Sequence, residues 1–393
     1  MKPCSGHRKV VMAVTNDVVT DRRVARHAAA LVEAGCEVVL VGRDEWSEEN
    51  GMQPVEGGLW KVERLRLSNR RGWRFYAEMN WKLVRWVAKQ RPDIVWANDS
   101  DTLPGCYVAA RRTGARLVMD AHELFPEVPE IQNKPLVRWV WRTVERLMMP
   151  RCDARLTVCQ SIADYYRRKL GVDMTVVRNI ASGEGKDNFR IRNSKYEIQN
   201  SLAAALGQLS AFRVLLYQGA VNMGRGVDWA IDALEFLPDC CLVVAGGGDL
   251  LAEMKRYAAE KAWADRVLFL GRLAPYELER LTPMADVGLV MLEDRGLSYH
   301  HALPNRIGDF VAAGVPMVVS DLPEMSAVVR KFDIGEVIAG EGRERHEAEL
   351  LAEAVRRVLE RGKANYDFAA ARADMDWNKE KQKLISILNA ITL

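Results

Sequence analysis

The stretch LPNRIGDFVAAGVPMVVSDLPEM, from Leu303 to Met325, holds a helix start, a helix stop and a buried strand in close succession. Pro304 and Asn305 suit a first helical turn, Ile307, Phe310 and Val311 recur at helical spacing, and Gly314 is placed to end the helix. The β-branched run Val315 to Val319 follows at once. A helix start presents unpaired N–H groups and the positive end of its dipole, so it attracts phosphate, and Arg306 and Asp309 stand beside it. Taken alone, the stretch reads equally as a nucleotide site or as an ordinary helix–strand unit.

Working outward, short apolar runs alternate with helical patterns along the chain. Lys9–Thr15, Glu37–Val41, Asp93–Ala97, Ala115–Met119, Ala154–Val158 and Met174–Val177 are expected strands of one sheet. The alternation restarts with Arg213–Tyr217, Cys241–Ala245, Val267–Leu270, Val287–Val290 and Pro316–Ser320. Continuous apolar strands separated by helices predict parallel sheets covered on both faces. The fold class is therefore α/β, with two tandem Rossmann-like doubly wound domains facing each other across a cleft. The first domain is expected over residues 1–180, a linker over 181–212 and the second domain over 213–372. A closing helix over 373–393 is expected to pack back on the first domain. The linker rests on the polar run SGEGKDNFRIRNSKYEIQNS, Ser182 to Ser201. In such sheets ligands bind beyond the carboxyl ends of the strands.

Composition narrows the function. The 393 residues carry 56 Lys and Arg against 53 Asp and Glu, and a net charge of +3 does not by itself imply a nucleic-acid partner. The cysteines, Cys4, Cys36, Cys106, Cys152, Cys159, Cys240 and Cys241, are odd in number and form no C-x-x-C pair. That argues against a disulfide framework or a zinc site, and for small buried hydrophobes in a reduced cytoplasmic compartment. The run Val10–Val14 is too short for a signal-peptide core, and no run approaches bilayer length. A soluble or peripheral protein is expected. No aspartate pair has evident Mg²⁺ spacing, so neither metal nor cofactor is expected.

Chemistry-bearing loops follow several strands. Asp21 is placed to cap the helix after the first strand, with Arg22 or Arg23 at the strand mouth, and no G-x-G-x-x-G fingerprint accompanies them. D120-A-H-E-L-F-P-E-V-P-E130 gathers Asp120, His122, Glu123 and Glu127 at a strand end. His122 there fits a hydrogen bond to a sugar hydroxyl, acid–base work, or a purely structural role. In the second half, Q218-G-A-V-N-M-G-R-G226 offers glycines for close backbone approach and Arg225 as a forked phosphate donor. A245-G-G-G-D249 and Gly271-Arg272 end the next two strands. Three successive glycine loops on one sheet edge are harder to dismiss than any one of them.

A basic, aromatic segment lies in the first half. Between Lys61 and Arg91 ten Lys and Arg face only Glu63 and Glu78, with Trp73, Phe75, Trp81 and Trp86 interleaved, and L136-V-R-W-V-W-R142 repeats the theme. One reading is a helix lying in an anionic membrane interface. The other places Tyr76, Leu83, Val84 and Val87 in a core-facing stripe with most of the tryptophans packed inward. Nucleic acid is disfavoured, since no recognised binding module accompanies the cluster.

Together, D21-R-R-V24 with the A-x-x-L-x-x-x-G that follows, DAHELFPE, the Gln218–Gly226 loop, AGGGDL and the Leu303–Met325 stretch resemble the retaining glycosyltransferases of family 4, which have the GT-B fold. The resemblance covers nearly the whole chain. It implies transfer of a sugar, with retention of anomeric configuration, from a nucleotide-sugar donor to a sugar or lipid-linked acceptor. By resemblance the donor side comprises Gly219, Arg225, Gly246, Gly247, Gly271, Arg272, Leu303, Pro304, Asn305, Arg306 and Asp309. Arg225 and the amides at the helix start would hold pyrophosphate, Asp309 the ribose, and the loop at Gly271 and Arg272 would lie near the base. His122, Arg225 and His301 are the implied catalytic residues, and Asp21, Arg23 and Glu123 lie on the acceptor side. Where the family often has two glutamates with seven residues between them, this chain has His301 and Asp309, and Ala220 replaces a frequent basic residue. An epimerase of similar architecture and a catalytically weakened nucleotide-sugar scaffold are the alternatives.

Overall fold

The structure, a computed structural model, describes residues 8–16, 18, 21–43, 59–180, 211–273, 275–339 and 344–391. The linker expected over 181–212 lies outside these, apart from its last two residues. The chain divides into two compact units, one holding the described residues up to Asn179 together with the helix from Trp377, the other holding Ile180 and those from 211 to Asp376.

The first unit is a seven-stranded parallel sheet. Its strands are β1 (Lys9–Ala13), β2 (Glu37–Arg43), β3 (Lys61–Leu65), β4 (Ile94–Asn98), β5 (Arg116–Ala121), β6 (Ala154–Thr157) and β7 (Thr175–Val176), in the order β3-β2-β1-β4-β5-β6-β7. The order runs outward in both directions from β1, so the carboxyl ends of β1, β4 and β5 are neighbours on one edge. Val10, Met12, Leu40, Ile94, Trp96 and Val118 are fully buried, as a sheet covered on both faces requires. The closing helix, Trp377–Ala390, inserts Leu384 and Leu388 into this core.

The second unit repeats the scheme with β8 (Arg213–Gln218), β9 (Cys240–Ala245), β10 (Val267–Gly271), β11 (Val287–Val290), β12 (Met317–Ser320) and β13 (Gly335–Ile338), in the order β10-β9-β8-β11-β12-β13. All of its pairings are parallel. The three glycine loops therefore do share one edge, at the carboxyl ends of the adjacent strands β8, β9 and β10. The strands that periodicity left out are β3, with burial alternating along Lys-Val-Glu-Arg-Leu, and β13, which holds Gly335 and Glu336. Both are edge strands, so neither needs the continuous apolar run that marks a central one.

The helix Gly72–Gln90 corrects the expected core stripe. Phe75, Met79, Leu83 and Val87 are buried, whereas Tyr76 and Val84 are only partly so. Trp73 and Trp81 stand exposed, each with an arginine guanidinium, Arg74 or Arg85, over its ring. On the helix Pro135–Met148, Trp141 is buried and Trp139 exposed. The six cysteines from Cys36 to Cys241 are all free and buried, in keeping with their apolar surroundings in the sequence.

Candidate active site

In the first unit the site grows from three neighbouring strand ends. After β1 the chain turns into the helix Arg22–Glu33, capped by Asp21, whose side chain accepts the Arg23 and Val24 N–H groups, each at 3.1 Å. After β4, Asp99 adopts a left-handed backbone with φ of 62°, a conformation that aspartate tolerates better than most residues. That turn lets its carboxylate reach β5's exit loop, where Oδ1 accepts the His122 N–H at 2.7 Å.

Asp120, the last charged residue of β5, is fully buried and organises the cluster. Arg23 donates to it through Nη2 at 2.6 Å and Nε at 3.1 Å, while His27 Nδ1 lies 3.1 Å away and His122 Nε2 3.4 Å away. Burial alone would raise the Asp120 carboxyl, but Arg23, His122 and His27 outweigh it and hold it well below the usual carboxylate range. His122 feels the reverse balance. Burial lowers it, yet Asp99 (Nδ1 to Oδ2, 3.3 Å), Asp120 and Asp21 together raise it to about 9. His122 is thus an imidazolium at neutral pH, its charge shared by Asp99 and Asp120, and better suited to donate a hydrogen bond than to abstract a proton.

His27 is different in kind. Completely buried, stacked on Trp377 of the closing helix and edge-on to Trp96, it is pushed down to about 4 by burial and by Arg23. A histidine lowered on folding favours the folded state above its unfolded value of about 6.5, and that advantage is lost as pH falls from 6.5 towards 4, where only the unfolded chain takes the proton. Between pH 7 and 5 the wild type is expected to lose roughly 2 kcal/mol more than His27→Gln in urea unfolding, from about 1.4 kcal/mol per pH unit across the window. Equal losses would show that His27 is not held neutral.

In the second unit, β8 ends in Gln218, whose amide binds the Asp309 carboxylate at 3.0 Å and the Thr282 hydroxyl at 2.9 Å. The helix Asn305–Ala313 starts at Pro304 without any side-chain cap and ends at Gly314 in the left-handed region. Gly219, at φ of 139°, receives a close approach from the Arg306 guanidinium, and a Cβ at Gly246 would sit 1.7 Å from the Gly219 carbonyl oxygen. The two loops therefore pack backbone against backbone, which leaves no room for a side chain at the contact. Gly246→Ala is expected to spread these loops and abolish the melting shift given by a donor, checked by thermal denaturation with and without it.

Arg225 extends from the same loop between two left-handed glycines, Gly224 and Gly226. Its guanidinium lies over the Tyr299 ring at 4.7 Å, and its Nε is buried with no hydrogen-bond partner among the described residues. Gly247 meets the Arg272 side chain. His301 closes the helix Leu297–His300, its N–H bonded to the Leu297 carbonyl at 3.1 Å, beside a His300–Asp294 contact of 2.9 Å. Leu303, Pro304 and Gly271 are partly exposed along the same stretches.

Two expectations are corrected. The Arg23 guanidinium is 98% enclosed and committed to Asp120 and the Val177 carbonyl, so it does not stand at the strand mouth. Arg306 is likewise turned inward, donating to the Gln218 and Met291 carbonyls over the Tyr217 ring. Its side chain holds loop and helix together, which leaves the helix-start amides and Arg225 to meet an anion. The sequence reading passed over Asp99, Ser100 and Asp101. The signal was present: the apolar Ile94–Ala97 breaks abruptly into Asn98-Asp-Ser-Asp101, as strands do where a sheet opens.

Comparison with known proteins gives the class of the chain. The Glycosyl transferase 4-like domain model matches residues 20–183, and the Glycosyl transferases group 1 model matches residues 212–361. The chain is a glycosyltransferase with the GT-B fold, carrying one domain of each of these two families in succession. Among solved structures it is similar to HepE from Anabaena in complex with UDP-glucose (TM-score 0.74, 15% identity, covering 98% of this chain and 100% of that one). It is also similar to a sucrose-phosphate synthase from Thermosynechococcus elongatus (0.76, 16%, 98% and 99%). A third is the glycosyltransferase from Rickettsia africae (0.69, 14%, 98% and 99%). A search of curated proteins by sequence returns no match.

Proposed function

We propose that the protein transfers a sugar from a nucleotide-sugar donor to a sugar or lipid-linked acceptor with retention of configuration, the second unit binding the donor and the first the acceptor. The observations that carry the donor side are the uncapped start of the helix Asn305–Ala313 and, on the loop after β8 in the same unit, Arg225, whose buried Nε has no hydrogen-bond partner among the described residues. Both favour a diphosphate. Gly246, Gly247, Gly271 and Arg272 would line the nucleotide, and Asp309, held by Gln218, would meet the ribose diol. Solved neighbours carry UDP-glucose or UDP, which makes uridine nucleotides the first to try. As the sugar–phosphate bond breaks, charge gathers on the diphosphate, and amides and Arg225 aimed at it lower the barrier more than they favour the ground state.

Thermal denaturation against UDP-, GDP-, ADP- and TDP-sugars tests the reading. A ligand at a hundredfold excess over its Kd adds about 2.7 kcal/mol, which raises the melting temperature visibly. No shift with any of them would sink it, and the anomeric configuration of the product by NMR decides retention.

An anionic membrane surface is the partner proposed for the first unit. No helix among the described residues is long and apolar enough to cross a membrane. Instead Leu136, Trp139, Val140 and Leu147 form an exposed stripe on the helix Pro135–Met148, flanked by Arg142 and Arg146. Trp73, Trp81, Arg85 and Lys89 do the same on Gly72–Gln90, and the two helices meet where Tyr76 packs edge-on to Trp141, with 5.1 Å between ring centroids. Apolar side chains fringed by arginine suit the headgroup boundary. The protein is expected to sediment with phosphatidylglycerol vesicles at low salt, and Trp139→Glu to stay in the supernatant. Equal pelleting of the two would remove the membrane reading.

A further inference from the structure

The transferase reading leaves the nature of the acceptor open, and the strand ends of the first unit narrow it. Beyond β4 stand Asp99 and Asp101, beyond β1 Thr15 and Asp21, and beyond β5 His122 and Glu123. Asp101 is 6% exposed, and its carboxylate accepts the Thr15 hydroxyl through Oδ2. Asn80 donates to its main-chain carbonyl at 2.8 Å. Oδ1 is buried and has no hydrogen-bond partner among the described residues. A carboxylate oxygen taken out of water without a donor is costly, so the fold maintains it only where something of hydrogen-bonding chemistry meets it.

From Asp99, Asp101 and Tyr76, Glu123 is close enough to act electrostatically. Burial raises both Asp99 and Asp101, opposed by His122 at the first and by the Thr15 hydroxyl at the second, with Glu123 adding repulsion at each. Among the described residues, the cations acting on this cluster are already engaged: His122 is shared by Asp99 and Asp120, and the Arg43 guanidinium lies over the Phe75 ring. Among the described residues no group of three or more His, Cys, Asp or Glu is placed to hold a metal ion. What remains is a ligand that brings several neutral donors at once.

We propose that the cluster of Asp101, Asp99, Asp21 and Glu123 binds the accepting end of a neutral, hydroxyl-rich sugar and rejects acceptors phosphorylated at that end. The proposal rests on the transferase reading above. Sugar hydroxyls donate to carboxylates without adding charge, whereas a phosphate would meet acceptor oxygens of its own sign. Tyr76 joins this cluster to the aromatic contact with Trp141, so a sugar head seated here could belong to a molecule anchored at the exposed helices.

The test is titration of the full chain with methyl glycosides of glucose, galactose, mannose and N-acetylglucosamine and with the corresponding 6-phosphates, followed by saturation-transfer NMR. At least one neutral glycoside is expected to bind, with its 6-phosphate about tenfold weaker or more, a difference of roughly 1.4 kcal/mol. Asp101→Asn is expected to weaken the neutral ligand and narrow that gap, and Thr15→Val, which releases the same carboxylate, serves should the first variant not fold. Equal or tighter binding of the phosphates, no binding of any neutral glycoside, or unchanged selectivity in the variant would overturn the proposal. A melting shift with UDP-glucose in the same preparation separates the two failures: if a nucleotide sugar still binds, only the acceptor class is wrong.

Discussion

Arg225→Ala is expected to lower kcat/KM for sugar transfer by roughly 30-fold to 1,000-fold, a loss of about 2–4 kcal/mol of transition-state stabilisation. The expectation comes from how the loop holds the side chain. Gly224 and Gly226 take left-handed backbone on either side, and a Cβ on Gly226 would lie 2.5 Å from Met291 Cβ, so the loop has one way to fold. The guanidinium rests on Tyr299 with Nε buried and without a hydrogen-bond partner among the described residues, so its place is set by the protein itself. A preorganised cation of this kind contributes most where charge develops during the reaction. Removing it deletes one cation–π contact, about 0.5–2 kcal/mol, so melting should fall only a few degrees. Arg225→Lys keeps the charge but not the fork, and is expected to fall between wild type and alanine. A folded Arg225→Ala enzyme that turns over its best nucleotide sugar at the wild-type rate would refute the role.

How far the sequence revealed this depends on which physical signal each residue carries. Central strands such as Cys240–Ala245 are buried on both faces and announce themselves as unbroken apolar runs, whereas β3 and β13 at the edges alternate or carry polar residues and pass unnoticed. The Leu303–Met325 stretch read true because proline start, periodicity and glycine stop are local features, and the structure places the helix at Asn305–Ala313 with Gly314 left-handed. Direction of a side chain is not local. Arg23 and Arg306 look like free cations beside strand mouths, but tertiary partners far along the chain, Asp120 and Val177 for one and Gln218 and Met291 for the other, draw them inward. Likewise Trp73 and Trp141 are indistinguishable as letters, and only the neighbouring elements decide that one is exposed and the other packed.

Loss of the Asp120 carboxylate is expected to be the most damaging single change in the first unit. Asp120→Ala strands the Arg23 guanidinium, which is 2% exposed and, of the partners described above, keeps the Val177 carbonyl at 2.6 Å. Removing one partner of a buried pair costs about 3–5 kcal/mol, because the remaining charge stays desolvated, and for a unit of this size that is a fall of roughly 6–20 °C in melting temperature. The sign with pH follows from the depressed carboxyl: its stabilisation is complete above the unfolded value near 3.9 and vanishes as pH drops through the lower folded value, so the deficit of the variant should shrink in acid. Changing both partners separates charge burial from packing. Arg23→Met with Asp120→Leu removes both charges and should recover much of the loss, as buried pairs replaced by apolar side chains often do. Function should not recover with it. His122 is raised by Asp99 and Asp120 together, so without Asp120 its imidazole should titrate lower, which NMR of the ring protons reads directly. If Asp120→Ala melted with the wild type, or if His122 titrated unchanged in the double variant, Asp120 would not be the anion that holds this cluster together.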